Sequence, residues 1–235
     1  KVLLFSAMLG CSHGVNAAKI DSSVNKKDQQ GVFERLQLDW DKEFDKKKLK
    51  RNQEYISILN LINDKRFDQA ANTLPFVLKK YPEDIGFINL EALLNAVLKK
   101  PKLAEIAYKK SLKIDNNKIA NLGLAQLALD NKEFQKVVKY SKDALKVNES
   151  SHKAYLLWAE AIYKQTKSIA KTEKILLKGI KKSKNSIRQE VKLIIVLARL
   201  YSGANASKNI FDVVNSLVSR YPDNNLALSV LASAQ

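Results

Sequence analysis

The chain has 235 residues, 46% of them hydrophobic and 28% charged, with 41 basic against 24 acidic side chains and a formal net charge of +17. That length and apolar share suffice for a core in one large or two small domains, and seven glycines with four prolines are too few for the tight turns of an all-β fold. A single cysteine, Cys11, excludes an internal disulfide.

The basic surplus is almost entirely lysine; the arginines are Arg35, Arg51, Arg66, Arg188, Arg199 and Arg220. Base readers favour the planar, bidentate guanidinium. A lysine surplus fits diffuse attraction to a polyanion or an anionic lipid surface, and it equally fits a solvated surface that binds nothing.

The opening residues read as an address. "KVLLFSAML" is a positive charge followed by a short apolar run, and Val15 and Ala17 stand at −3 and −1 of a cut after Ala17. That is the pattern of a secretory signal peptide over 1–17, far short of the ~20 apolar residues of a spanning helix. "MLGC" also resembles a bacterial lipobox and makes Cys11 the candidate lipidation site, although Met8 and Leu9 depart from the usual residues. Either route exports the chain, to the periplasm or to a lipid anchor on the outer membrane, and sets nucleic acid aside as a partner. Residues 18–31 are polar and aperiodic and read as a flexible linker. Phe33, Leu36, Trp40 and Phe44 then recur on one helix face, which predicts an N-terminal capping helix over 32–49.

From residue 51 the chain repeats itself. "KKYPED" at 79–84 and "SRYPDN" at 219–224 place the same Tyr-Pro punctuation 140 residues apart. Between them the pattern of helix, short turn, helix, short turn recurs five times, over 51–84, 85–117, 118–151, 152–190 and 191–224. A period of this size marks stacked units. Proline lacks the donor that a helix interior needs, so Pro82 and Pro222 each separate two helices. Lys79, Lys80, Lys181 and Lys182 close helices, where they complement the macrodipole without any ligand. "KSKNSIRQE" at 183–190 exceeds a standard junction, and lengthens a helix or a loop. "LALSVLASA" near the end is apolar around most of its circumference, so 225–235 reads as the unpaired first helix of a further repeat or as a C-terminal cap, and as a surface for self-association.

Ala92, Ala125, Ala159 and Ala198 fall at one register of the repeat, Ala70 and Ala104 at a second. On these residues and this period the chain resembles the tetratricopeptide repeat (TPR) family over about residues 51–224. The resemblance implies an all-α fold, a right-handed α-solenoid of helix-turn-helix repeats. The pattern departs from the family at Ile58 in the first register and at Val137, Thr172 and Ile210 in the second. Small residues are needed where two helices approach to ~8–10 Å.

Chemistry is sparse. His13 and His152 are the only histidines, no Cys/His set could hold zinc, and no glycine-rich phosphate loop occurs. Glu83 and Asp84 read as helix N-terminal charges. The sequence therefore points to no enzyme and to no cofactor. The family resemblance implies a concave groove lined by the first helix of each repeat; here those positions include Asn52, Tyr55, Asn89, Gln126, Lys153, Glu160, Tyr163, Lys164, Lys192 and Arg199. Some relatives clamp a C-terminal carboxylate with Lys and Asn at two of these positions. This chain has Tyr55 and Leu59, Asn89 and Leu93, Leu122 and Gln126, Leu156 and Glu160 there, so that clamp is missing. The expected function is a non-catalytic scaffold of the bacterial cell envelope, binding a partner polypeptide in the groove, within an export or assembly machine. The alternative is a binder of acidic polysaccharide or anionic lipid through lysines at 46–51, 99–102 and 181–184.

Overall fold

The computed structural model describes residues 49–183, 186–202 and 207–232, and among them every regular element is an α-helix. The expected signal peptide with Cys11, the linker and the capping helix up to residue 48 lie outside the described residues. In chain order the helices are α1 (Leu49–Asn63), α2 (Phe67–Lys80), α3 (Ile85–Val97), α4 (Pro101–Ile114), α5 (Lys118–Asp130), α6 (Phe134–Val147), α7 (His152–Thr166), α8 (Ile169–Lys182), α9 (Ile187–Ser202), α10 (Ser207–Arg220) and α11 (Asn225–Ala232). They fall into two compact units divided after Lys132.

In the first unit α1 pairs with α2 and α3 with α4, while α1, α3 and α5 pack successively against one another. The sequence dictates where each helix begins. Asp84 caps α3 by accepting from the backbone N–H of Gly86 (2.9 Å) and Phe87 (3.3 Å), Asn117 caps α5 through the N–H of Ala120 (2.9 Å), and Pro101 opens α4, where its missing donor costs nothing. The small-residue registers do what close packing requires: Ala92, Ala125, Ala70 and Ala104 are all fully buried. So are Ile58 and Val137, which fill the same registers with larger side chains. The core of this unit is built from Tyr55, Ile58, Ile62, Leu74, Phe87 and Leu90, among others.

In the second unit α7 packs between α6 and α8, α9 packs on α7, α8 and α10, and α11 packs on α9 and α10. Ser168 caps α8 through the N–H of Lys171 (3.3 Å). Gly179 lies so close to Tyr155 that an added Cβ would meet the ring at 2.8 Å, so glycine sets the spacing of α7 and α8. The long junction after the fourth hairpin resolves as extra helix: α9 starts at Ile187, four residues ahead of the expected start of the fifth copy. The last helix differs from its sequence reading in one respect. Its circumference is not wholly open, because Ala227 is buried and Val230 and Leu231 pack on the core, which leaves Leu226 and Leu228 exposed.

The two Tyr-Pro signals fold alike. Tyr81 N–H donates to Val77 and Tyr221 N–H to Leu217, and the N–H groups of Asp84 and Asn224 then donate back to the carbonyls of Tyr81 and Tyr221, both at 3.2 Å. At the opposite ends of the hairpins, four successive turns place a lysine at positive φ: Lys65 (61°), Lys99 (58°), Lys132 (62°) and Lys167 (54°). At Lys65 and Lys99 the following N–H reaches back five residues, Arg66 to Leu61 and Lys100 to Asn95, both at 2.8 Å, which closes the helix end in a Schellman-type turn.

Candidate functional site

The ten positions expected to line a groove do not share one environment. In the first unit Tyr55 is 4% exposed and sets its ring edge-on against Phe87 at 5.8 Å, while Asn89 is 1% exposed and donates to Asn117 Oδ1 at 3.1 Å. Asn117 in turn donates to Ser111 Oγ at 2.9 Å, so Asn89 belongs to an internal polar chain that joins α3 to the α4–α5 turn. Asn52 and Gln126 are half-buried; Gln126 donates to Asp130 one turn along its own helix (2.9 Å). Leu59, Leu93 and Leu122, on the same helix faces, are buried. Over α1, α3 and α5 this surface is therefore largely closed by its own apolar side chains.

The second unit is different. On α7, Lys153, Leu156, Glu160, Tyr163 and Lys164 follow the spacing of a single helix face. Lys153 and Glu160 are buried, and Lys164 Nζ lies 2.8 Å from Glu160 Oε1. Leu156 and Tyr163 are half-buried and pack on the core from above. On α9 the equivalent face bears Lys192, half-buried, with Ile195 and Arg199 exposed. Since α9 packs directly on α7, the surface offers apolar contact at Leu156, Tyr163 and Ile195 with cations at Lys164, Lys192 and Arg199. Such a mixture suits an extended segment that bears both apolar and acidic side chains. Ile195 was not among the expected residues; it stands 39 residues after Leu156, the spacing of Lys192 from Lys153, and that offset is the signal that could have found it.

Polar links between helices, two of them one repeat apart, hold both surfaces in register. Arg51 donates to both oxygens of Asp84, at 2.8 and 2.5 Å. Burial alone would raise the Asp84 carboxyl, but the Arg51 hydrogen bonds and charge, with the N–H groups of Phe87 and Gly86, outweigh it and hold the group below its ordinary value. In the second unit Arg220 donates to the buried carboxylate of Glu190, and Lys182 Nζ pairs with Glu149 at 2.6 Å. His152, the only histidine outside the expected signal, is buried. Among the described residues no three His, Cys, Asp or Glu side chains gather closely enough to hold a metal ion, and no helix is long and apolar enough to cross a membrane.

No protein-family model matches the chain, and no curated protein does. Solved structures do. MamA aligns with 70% of this chain and 94% of its own at 17% identity, with a TM-score of 0.54. PilF of Pseudomonas aeruginosa aligns with 78% and 97% at 14% identity, with a TM-score of 0.50. YrrB, a TPR protein, aligns with 77% and 94% at 13% identity, with a TM-score of 0.49. At such identities the likeness concerns the fold. With the stacked helical hairpins, it gives this chain the all-α solenoid fold of tetratricopeptide-repeat proteins.

Proposed function

We propose that this chain is a non-catalytic scaffold of the bacterial cell envelope that holds an extended, acidic and apolar segment of a partner polypeptide against α7 and α9. One observation carries the reading: Ile195 is exposed, and Leu156 and Tyr163 are only partly covered, on the same helix faces as Lys164, Lys192 and Arg199. Core packing accounts for the inner parts of Leu156 and Tyr163 but leaves Ile195 and their outer edges beside three cations, a mixture that suits a partner better than water. The helical-hairpin fold supports the reading by providing adjacent parallel first helices. The compartment rests on the signal-like residues 1–17, with Cys11 as the lipidation candidate. The place in an export or assembly machine is part of the same proposal.

The test is a panel of fluorescent peptides of alternating acidic and apolar residues, titrated into the full chain. Micromolar binding is expected, weakened about tenfold or more by Ile195→Ser, or by Lys192→Glu with Arg199→Glu, with helicity unchanged. Equal binding of acidic peptides that lack apolar residues would sink the groove reading, since charge alone would then suffice.

A further inference from the structure

The face of the second unit formed by α6 and α8 holds a charge pattern that helix stability does not explain. Helix α6 bears Lys136, Lys139, Lys142 and Lys146 against one acid, Asp143. Helix α8 bears Lys171, Lys174, Lys178, Lys181 and Lys182 against one acid, Glu173. All nine lysines are exposed, and their spacing sets them opposite the buried stripes Val137–Ser141–Ala144 and Thr172–Leu176–Gly179. The two helices flank α7, and the Lys182–Glu149 pair ties the end of α8 to the turn after α6.

Ordinary compensation accounts for only part of this. Lys136, Lys146 and Lys182 have acid partners at 2.8, 2.7 and 2.6 Å. Lys139, Lys142, Lys171, Lys174, Lys178 and Lys181 form no salt bridge among the described residues. The macrodipole explains Lys181, at a helix C-terminus, but works against Lys171, which stands in the first turn of α8 with no acid beside it. Lys142 and Lys146, Lys174 and Lys178, and Lys178 and Lys182 are like charges four residues apart, each pair mildly destabilising to its helix. The sole acid of α8 is engaged elsewhere, accepting from Tyr201 OH at 2.6 Å.

We infer that the α6–α8 face binds an anionic lipid surface. Its cations are all lysine, whose compact ammonium suits diffuse attraction to headgroups rather than bidentate recognition. Leu177 is 42% exposed within the α8 stripe, three residues after Lys174 and four before Lys181, and Ile169 and Val147 are exposed at the margins. Lysines around exposed aliphatic side chains match a bilayer interface, which receives both. A soluble acidic polysaccharide gives the aliphatic groups nothing. Docking relieves the like-charge repulsion along both helices and leaves α7 and α9 available to a polypeptide.

The experiment is sedimentation of the full chain with vesicles of phosphatidylcholine alone or mixed with phosphatidylglycerol. At ~0.1 M salt, where screening acts over ~10 Å, the mixed vesicles are expected to retain the protein and the neutral ones not; at ~1 M salt, where it acts over ~3 Å, most is released. Lys174→Gln or Lys178→Gln alone should weaken binding roughly fivefold, and both with Lys139→Gln and Lys181→Gln on the order of several hundredfold. Four glutamines at Lys99, Lys100, Lys102 and Lys109 remove the same charge from the first unit and should have a far smaller effect. Leu177→Gln should weaken vesicle binding without changing the salt dependence. Equal loss with the first-unit variant would reduce the effect to net charge and overturn the assignment. So would equal affinity for neutral vesicles, or alginate binding as tightly as the mixed vesicles with Leu177→Gln indifferent to both.

Discussion

At the scale of single residues, Asp84 does two jobs with one carboxylate: it caps α3 and receives Arg51 from one repeat earlier. Asp84→Ala should cost about 2–4 kcal/mol in urea unfolding, since it uncaps a helix and strands a nearly buried guanidinium. Asp84→Asn keeps a capping oxygen and isolates the charge. The folded carboxyl titrates below its unfolded value of ~3.9. Its contribution is therefore complete above that value and disappears as pH falls through the folded one, so the gap between wild type and Asp84→Asn should close below about pH 4. Gly123 makes a different point. Glycine to alanine in a helix ordinarily gains up to ~1 kcal/mol, yet a Cβ at Gly123 would intrude into the ring of Tyr108, itself 1% exposed. Gly123→Ala should therefore lower stability by roughly 1–3 kcal/mol, read as a fall in Tm. The lysines at positive φ invert the case: Lys99→Gly relieves an unfavourable backbone and should raise stability by about 1 kcal/mol.

At the scale of elements, the helices and their small-residue registers were legible in the sequence because periodicity and side-chain size are local properties. Ala92, Ala125 and Ala159 announce close helix approach before any coordinates are known, and all three are buried. Exposure on the opposite face is not a local property. Tyr55 and Asn89 occupy groove positions by register, yet neighbouring helices enclose them, and nothing in the spacing of α1 or α3 records what covers it. The lysine turns were equally silent, since lysine carries no preference for positive φ and only the carbonyl left at the helix end demands it. Helix α11 lies between these cases: its apolar composition was plain, its seating on α9 and α10 was not. Ala227→Arg should force α11 off that seat and reduce unfolding stability by about 3 kcal/mol or more, whereas Leu226→Ser, on the exposed side, should stay within ~0.5 kcal/mol.

At the scale of the molecule, stability is the sum of hairpins and the contacts between neighbours, so the interior of each unit should hold longest. Hydrogen exchange should show this directly. Helix α3, buried continuously from Gly86 to Leu90, and α5, buried from Lys118 to Ala125, should be the slowest segments. Helix α11, with Ala227 as its one fully buried residue among those described, should exchange first. Fast exchange in α3 would contradict the packing assigned to the first unit.

The cross-repeat links have an evolutionary corollary. Arg51 with Asp84, Asn89 with Asn117 and Glu149 with Lys182 each join a hairpin to its neighbour, and no two of the three use the same pair of residue types. The copies are alike in outline but keyed differently at their seams. A hairpin duplicated, deleted or transplanted within this chain would fit by shape and meet the wrong neighbour by charge. Lineages that lengthen or shorten such an array would have to rewrite the seam residues at each new joint.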